Sequence, residues 1–501
     1  MLVVTISKLQ FEYDIHSLVK AFYPEEEVKV ILKEESPCFA LRDLFLDLDL
    51  GSNQVIQQNR IVCTLKASLY HKELKREVVV EQEESDRADM RNKLKQLIYE
   101  LLSKNCQHTL PWGTLTGIRP TKIPMMKLEE GKTREEILTF MKETYLISEE
   151  KAKLSIEIAE KELQILDGIH YKEGYSLYLG IPFCPTTCLY CSFTSYPIGL
   201  WKQKVEDYLD ALDLEIEAVS ELMKSRILDS VYIGGGTPTT LTEEQLERVL
   251  SKLTSRFDFS HVKEFTLEAG RADSITPLKL AIMKKYGVER ISVNPQTMKE
   301  ETLRMIGRGH TVDQVKIAFR QAREAGFENI NMDLILGLPG ETIDDVIITM
   351  EEIKKLNPDS LTVHSLAIKR ASKLSEWIIK NGLETMKNTT ETMEIASRAA
   401  HDIGMEPYYL YRQKNMAGNF ENVGYAKPGR HGLYNILIME EKQSIMALGA
   451  GSISKMVYVD GRIERADNVK DPKLYIEQIE EMIARKRKLL LDEKGELNGT
   501  Q

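Results

Sequence analysis

The sequence predicts an α/β fold, with a central run of parallel strands and helical crossovers between an N-terminal α+β domain and a C-terminal α+β extension. Two observations predict it. Short β-branched runs, SLYLGI, SVYIGG, EFTLEA, RISVNP, NINMDLIL and SLTVHSLA, alternate with helical periodicity at 204–225, 242–256, 277–286, 312–325 and 342–356; that alternation is the pattern of parallel strands joined by helices. Residues able to do chemistry fall in or just after these runs: Cys184, Gly235 and Gly236, Glu268, Gln296, Asp333 and Ala367. Six such units make either an open doubly wound sheet or a partial barrel, and periodicity alone does not choose. In both, ligands bind at the carboxyl ends of the strands.

In chain order, 501 residues exceed one compact core, and domains are expected at 1–170, 171–375 and 376–501. The first opens with the strand-like runs VVTI, VKVIL and RIVCTLKASLY, then turns helical. Residues 86–104 carry Leu94, Leu97, Ile98, Leu101 and Leu102 at helical spacing, and 148–167 begin with a Ser–Glu–Glu–Lys capping start. Between these helices LPWGTLTGIRPTKIP keeps Trp112, Leu115 and Ile118 among its turn formers, and so reads as an ordered loop. Its Arg119 and Lys122 would suit an acidic ligand or a redox partner, although a structural loop is the simpler reading. After the central run a helix is expected at 389–403. An irregular stretch, PYYLYRQKNMAGNFENVGYAKPGRHGLYN, follows, then a strand pair around Asp460 and Gly461 and a final helix at 472–489. There is no internal repeat.

A formal charge of −10 and a pI near 5.6 give no general attraction to phosphate backbones, and no long Lys/Arg tract supplies one. A nucleic-acid partner is therefore not expected. No apolar stretch is long enough to span a membrane, and the start MLVVTISKL lacks signal-peptide features. A cytoplasmic location is the expectation.

Six cysteines are too few for a disulfide scaffold. Cys38, Cys63 and Cys106 are scattered, as small buried apolar residues usually are, whereas Cys184, Cys188 and Cys191 share one loop, IPFCPTTCLYCSF, spaced C-x3-C-x2-C. Tightly spaced thiolates suit a cuboidal [4Fe–4S] cluster. Three protein ligands leave one iron open to the amine and carboxylate of an amino acid. Structural zinc would need a fourth Cys or His, and the nearest histidines, His170 and His261, lie far off in sequence. A disulfide would leave one thiol over.

The C-x3-C-x2-C loop followed by an aromatic, with IPF before it and GGGTPT one strand later, resembles the radical S-adenosylmethionine (SAM) superfamily. It is most similar to the oxygen-independent coproporphyrinogen III oxidase group, the HemN/HemW-like proteins. About residues 175–460 carry the likeness, and the N-terminal section and length match the longer HemZ coproporphyrinogen dehydrogenase form of that group. The resemblance implies a partial (βα)6 TIM-type barrel, a [4Fe–4S] cluster on Cys184, Cys188 and Cys191, and one or two molecules of SAM. It implies SAM contacts from Tyr178, Tyr190, Gly235, Gly236, Thr237, Glu268, Gln296, Arg308, Asp333 and Ala367. The implied chemistry belongs to porphyrin and haem biosynthesis. A deoxyadenosyl radical takes a hydrogen from a propionate β-carbon of coproporphyrinogen III, the carboxylate leaves as CO2 while an electron acceptor takes the last electron, and two such events give the vinyl groups of protoporphyrinogen IX. A reduced flavodoxin- or ferredoxin-type electron donor is implied with it.

Elementary chemistry agrees with most of these assignments. Glycines let backbone approach a ligand, a carboxylate can accept both ribose hydroxyls, and a guanidinium binds a carboxylate through two parallel hydrogen bonds. Singly, each residue has a plainer reading as a turn, a solvated charge or a surface ion pair; together, at six strand ends, they point to function. By position alone, Lys369, Arg370, Arg412 and Lys414 are the candidates to meet the propionates.

Two departures bear on the reaction. Phe193 stands where the oxidase proper has a further cysteine, as in the haem chaperone-like members. Yet the chaperone branch's His-Asn pair before Tyr-Trp is replaced by Tyr434, Asn435 and Ile436 with no tryptophan, and its GPGAHS-like turn reads GAGSIS. Three readings follow. The favoured one is a decarboxylating coproporphyrinogen dehydrogenase. The second is a haem-binding carrier, with His364 and His431 as candidate iron ligands, although a lone histidine is usually an ordinary residue. The third is another radical SAM reaction on a tetrapyrrole.

Overall fold

The computed structural model describes residues 2–6, 11–24, 26–32, 45–49, 60–69, 72–81, 87–171, 173–368, 372–382, 386, 388–413, 420–458 and 460–493. The chain divides into two compact units, residues 1–160 with 412–420 and residues 161–411 with 421–501.

In the first unit, β1 (Leu2–Ile6), α1 (Glu12–Phe22), β2 (Val28–Leu32), β3 (Phe45–Asp49), β4 (Arg60–Leu69), β5 (Lys72–Glu81) and α2 (Arg87–Cys106) follow one another. The sheet order is β2-β1-β3-β4-β5. β1 is parallel to β2 and β3, while β3, β4 and β5 run antiparallel. The leucine stripe expected on α2 faces the core, where Leu94, Leu97, Ile98, Leu101 and Leu102 meet Ile15, Leu18, Val19 and Phe22 of α1 and Leu2, Val4 and Ile6 of β1. Cys106 packs against this core as a small apolar residue would; Cys38 lies outside the described residues.

Three further helices complete the unit: α3 (Lys122–Glu129), α4 (Arg134–Tyr145), started by a Thr133–Glu136 capping box, and α5 (Glu149–Leu166), which runs on into the second unit. The LPWGTLTGIRP loop is ordered. Trp112 is fully buried, and the Thr114 amide and hydroxyl both donate to the Tyr145 carbonyl, at 2.7 and 3.2 Å. Gly113 has φ 52°, and a Cβ there would lie 2.1 Å from that carbonyl, so only glycine fits. Arg412 belongs to this loop rather than to an open pocket. Its Nη1 donates to the Leu115 carbonyl at 2.6 Å, and its guanidinium sits 5.5 Å from the Trp112 ring centroid. Lys369, Arg370 and Lys414 lie outside the described residues.

The second unit begins with β6 (Gly174–Ile181), the short β7 (Phe183–Cys184) and β8 (Tyr196–Pro197), and then α6 (Val205–Leu222) and β9 (Ile227–Gly235). It continues with α7 (Glu243–Arg256), β10 (Glu264–Gly270), α8 (Pro277–Lys285), β11 (Arg290–Val293), α9 (Glu300–Met305), α10 (Val312–Glu324), β12 (Asn329–Leu336), α11 (Ile343–Leu356) and β13 (Ser360–Ser365). All six expected strands form, parallel and in the order β6-β9-β10-β11-β12-β13. Every unit adds to the same edge, so the order never reverses. A doubly wound sheet requires that reversal, whereas a sheet built in one direction curls towards a barrel. Threonines open the crossover helices: Thr242, Thr311 and Thr342 form capping boxes at α7, α10 and α11.

The rest of the chain supplies α12 (Leu374–Asn381), α13 (Thr390–Asp402), β14 (Glu406–Tyr411), β15 (Asn422–Ala426), α14 (Leu433–Glu440), β16 (Ser444–Leu448), β17 (Ile453–Val457), β18 (Ile463–Asp467), α15 (Pro472–Glu477) and α16 (Ile479–Glu493). The stretch that reads as irregular in sequence in fact builds β14, β15 and α14. β15 pairs antiparallel with β13 and β14 with β15, while β16 docks parallel on β6 and leads into the β17–β18 pair. Gly424 explains why the pattern misled: a Cβ there would lie 1.8 Å from the Tyr409 ring, so this glycine makes room for a cross-strand aromatic and marks no turn. The expected final helix is broken at Gln478 into α15 and α16.

Two buried carboxylates tie this extension to the barrel. Glu264, the first residue of β10, accepts from the Leu433 and Tyr434 amides at 2.6 and 3.2 Å and so caps α14. Glu215 on α6 accepts from Lys486 (2.6 Å), Asn468 (2.8 Å), the Tyr475 hydroxyl (2.6 Å) and the Gly449 amide (2.8 Å). No helix among the described residues is long and apolar enough to cross a membrane.

Candidate functional site

The cysteine loop leaves β6 at the carboxyl end of the barrel and is pinned at several points. Leu189 donates its amide to the Ile306 carbonyl at 2.9 Å, and Tyr196 to the Pro182 carbonyl at 2.8 Å. Thr186 donates its hydroxyl to the Gly307 carbonyl at 2.8 Å. Cys184 and Cys188 are buried, Cys191 is half-buried, and all three are free thiols. Burial pushes the Cys184 thiol up to about 11, the Thr237 hydroxyl opposing the rise and the neighbouring Cys191 and Cys188 adding to it.

The glycine turn after β9 closes over this loop. The Gly236 and Thr237 amides donate to the Ile181 and Phe183 carbonyls at 2.7 and 2.8 Å, and the Thr237 hydroxyl lies 3.4 Å from the Cys184 sulfur. A Cβ on Gly236 would stand 2.6 Å from the Phe183 carbonyl oxygen and 3.0 Å from that sulfur. Gly235, at φ 108°, makes the turn possible. A second turn props the loop from another side: Cβ atoms on Gly449 and Gly451 of GAGSIS would lie 2.2 Å from the Gly180 carbonyl oxygen and 2.5 Å from the Thr194 hydroxyl. In the sequence this turn registers only as a departure from relatives, although its Gly-x-Gly is the mark of close packing.

The other strand ends bring the remaining candidates in. Glu268 at the end of β10 accepts from the Tyr232 hydroxyl. Burial raises its carboxyl to about 7; the Tyr232 hydrogen bond opposes the rise, Asp333 adds to it, and Arg290 and the Gly235 amide oppose it. Gln296 holds φ 71°, a left-handed conformation uncommon outside glycine. Its amide donates to the Asp333 carbonyl and its carbonyl accepts from Ile335, both at 2.9 Å. Such strain persists only where the surroundings fix it, and it concentrates at ligand sites. The Asp333 carboxylate accepts from Asn331 at 2.7 Å. Arg308 donates to the Asn294 carbonyl and, at 3.1 Å, to the Tyr190 hydroxyl; Tyr190 and Cys188 more than offset the burial that disfavours its charge. Ala367 sits half-buried just past β13.

Tyr178 stands in the barrel with two aromatic neighbours absent from the sequence-derived site. Its ring stacks with Tyr232 at 6.2 Å and Tyr434 at 5.9 Å, and those two stack at 4.5 Å. Tyr434 reaches this column because Glu264 fixes the start of α14. Of the two histidines considered for haem iron, His364 lies within electrostatic reach of Asp333. His364 shares a 3.3 Å contact with the Tyr411 hydroxyl, and His431 packs 5.3 Å from Tyr408.

A radical SAM superfamily model matches residues 178–353. Over 80% of this chain and 81% of the relative, the sequence is 41% identical to the oxygen-independent coproporphyrinogen-III oxidase-like protein HemZ of Bacillus subtilis. The chain belongs to this coproporphyrinogen III oxidase-like family of radical SAM proteins. It is also 32% identical to the heme chaperone HemW of Bacillus subtilis, over 61% of this chain and 76% of that one. In fold it matches the radical SAM enzyme HemN, the coproporphyrinogen III oxidase of Escherichia coli, with a TM-score of 0.51 and 24% identity over 64% of this chain and 72% of that one. The parallel six-stranded core is thus a partial barrel of the radical SAM type.

Radical SAM proteins use a [4Fe–4S] cluster and SAM. The site fits them: three free thiols share one pinned loop, and a glycine at 236 keeps clear the space beside Cys184 that a Cβ would fill. Among the described residues no three His, Cys, Asp or Glu side chains converge as ligands of one ion.

Proposed function

We propose that this chain is a coproporphyrinogen III dehydrogenase, converting two ring propionates to vinyl groups with loss of CO2 to give protoporphyrinogen IX. The observation that carries the reading is the convergence, at one barrel mouth, of the thiol loop with Glu268, Gln296, Arg308 and Asp333, in a chain 41% identical to the oxidase-like HemZ. Cys184, Cys188 and Cys191 hold the cluster. When bound, the cluster and SAM supply a carbon-centred radical for hydrogen abstraction.

The chain's own residues do the rest. Gly235 and Gly236 let backbone approach the methionine part of SAM, with Thr237 beside them. Glu268 in its ionised form accepts from the ribose hydroxyls, and its orientation is set by Tyr232 and the Gly235 amide. Arg308 pairs with a carboxylate, while Tyr190 fixes its guanidinium. Gln296 and Asp333, linked through backbone, and Ala367 complete the wall. Tyr178, Tyr232 and Tyr434 fill the barrel beneath and keep water from the reacting centre. A reduced flavodoxin- or ferredoxin-type protein supplies the electrons that cleave SAM, and an electron acceptor takes the electron left by each loss of CO2.

The second reading, a haem carrier like HemW, is favoured by one feature: Phe193 is 73% exposed beside the thiol loop, in place of the oxidase's further cysteine. One experiment separates the two. Anaerobically reconstituted protein receives reductant, SAM and coproporphyrinogen III, and 5′-deoxyadenosine, CO2 and porphyrin mass are followed together. The dehydrogenase reading expects all three products in step. Deoxyadenosine without CO2 removes decarboxylation, and tight haem retention without substrate-coupled turnover supports the carrier.

A further inference from the structure

Arg271, one residue past the end of β10, is 3% exposed and lies outside the SAM-directed set. Its Nε and Nη2 donate side-on to the two Asp273 carboxylate oxygens at 3.0 and 2.6 Å. The remaining nitrogen, Nη1, crosses to the cysteine loop and donates to the Thr186 carbonyl at 3.2 Å and hydroxyl at 2.6 Å. Thr186 lies between Cys184 and Cys188, and its hydroxyl proton goes on to the Gly307 carbonyl. The other side of the pair is closed. A Cβ on Gly309 would meet Asp273 Oδ2 at 3.4 Å and Arg271 Nη2 at 3.5 Å, and the buried His310 ring sits 3.6 Å from Asp273 Oδ1.

An ion pair exposed on both sides would contribute little, but here the guanidinium is buried, although Asp273 still meets solvent, and every guanidinium nitrogen is committed. A side-on carboxylate fixes the plane of a guanidinium, so Asp273 aims Nη1. Three thiolates leave a cluster with net negative charge that grows on reduction, and a fixed cation nearby favours the reduced state.

We propose that Arg271, aimed by Asp273, is a positioning residue that clamps the span between Cys184 and Cys188 and turns the positive end of this ion pair towards the cluster loop, strengthening cluster retention and raising its reduction potential. The proposal rests on the reading that the three cysteines hold a [4Fe–4S] cluster, and its test needs neither SAM nor tetrapyrrole.

The full-length chain and its Arg271→Gln, Arg271→Lys and Thr186→Val variants are reconstituted anaerobically. Iron and sulfide per chain, the rate of iron release to a chelator, and an EPR-monitored redox titration are recorded for each. Arg271→Gln is expected to release iron at least tenfold faster and to shift the reduced-to-oxidised ratio about tenfold towards oxidised at a fixed potential, ~59 mV for a one-electron couple. Arg271→Lys keeps the charge and restores the potential, but not the slow release, because the two-point grip is lost. Thr186→Val releases iron faster at an unchanged potential. Wild-type release and potential in Arg271→Gln overturn the proposal. If that variant does not fold, wild-type release in both Arg271→Lys and Thr186→Val overturns it. A wild-type chain that takes up no cluster overturns the parent reading instead.

Discussion

Glu268 sits where three influences on one carboxyl meet: burial that disfavours charge, a second carboxylate at Asp333, and donors from Tyr232 and Gly235 that favour charge. The balance leaves it titrating near 7, so its ionisation is decided by its neighbours. The Tyr232 hydrogen bond favours the ionised form, so removing it must move the pKa upward. A hydrogen bond to a carboxylate contributes roughly 1.5–3 kcal/mol, and 1.36 kcal/mol is one pKa unit. Tyr232→Phe should therefore raise the midpoint of the pH dependence of SAM binding by about one unit, weakening binding about fivefold at pH 7 while leaving it little changed above pH 9. SAM titrations of the cluster-loaded protein from pH 6 to 9 check this; an unshifted midpoint means that Tyr232 only packs. Nothing in SVYIGG singles out this tyrosine as the partner of a glutamate on the next strand. Glu268 was legible because it ends a strand, whereas its hydrogen-bond donor depended on strand register, which pairs Tyr232 with Thr266 and Tyr178.

At the scale of the element, the helices that start with a threonine cap and carry one apolar face were legible, because cap and period are both local. α7, α10, α11 and α13 each begin after Thr242, Thr311, Thr342 and Thr389. β14, β15 and α14 were not legible, because their signals are long-range: a glycine that admits a ring, and a helix start capped by Glu264 far upstream in sequence. A similar long-range feature sits on α5. Both carboxylate oxygens of Glu162 are buried without a hydrogen-bond partner, and Glu440 on α14 lies close enough to repel its charge. Burial first, and Glu440 second, raise this carboxyl well above its ordinary value, so the folded helix favours its protonated form. The unfolded chain ionises above about pH 4.5, so the stability lost through this group grows as pH rises from there until the folded form ionises too. Glu162→Gln keeps the shape and removes the titration. It should leave stability nearly unchanged at pH 4 and raise it by about 1–3 kcal/mol at pH 8. Denaturant unfolding at the two pH values measures the difference, and an equal effect at both would mean that the carboxyl is solvated in the folded state.

Over the whole molecule, the parallel core was legible because six strand–helix units repeat one local grammar, but how the flanks join that core was written in single buried residues. The extension that follows α14 is tied back through Glu215, which is fully buried on α6 and gathers Lys486, Asn468, Tyr475 and the Gly449 amide. Gly449 opens the turn that presses on Gly180 and Thr194, the two ends of the segment bearing the cysteines. A charge on α16 is thereby connected to the geometry of the thiol loop through contiguous contacts. Lys486→Met leaves Glu215 buried with neutral donors alone, which should cost about 3–5 kcal/mol, and it should also quicken iron release by loosening the Gly449 turn. The double change Glu215→Gln with Lys486→Met removes both charges and keeps the volume, and a buried pair replaced as a pair is often neutral. Thermal unfolding and iron release should therefore both recover in the double variant. Recovery of stability without recovery of release would show that Glu215 acts on the turn through its own hydrogen bond to Gly449, and failure of both would show that the four donors need a carboxylate and no smaller charge will hold the extension to the barrel.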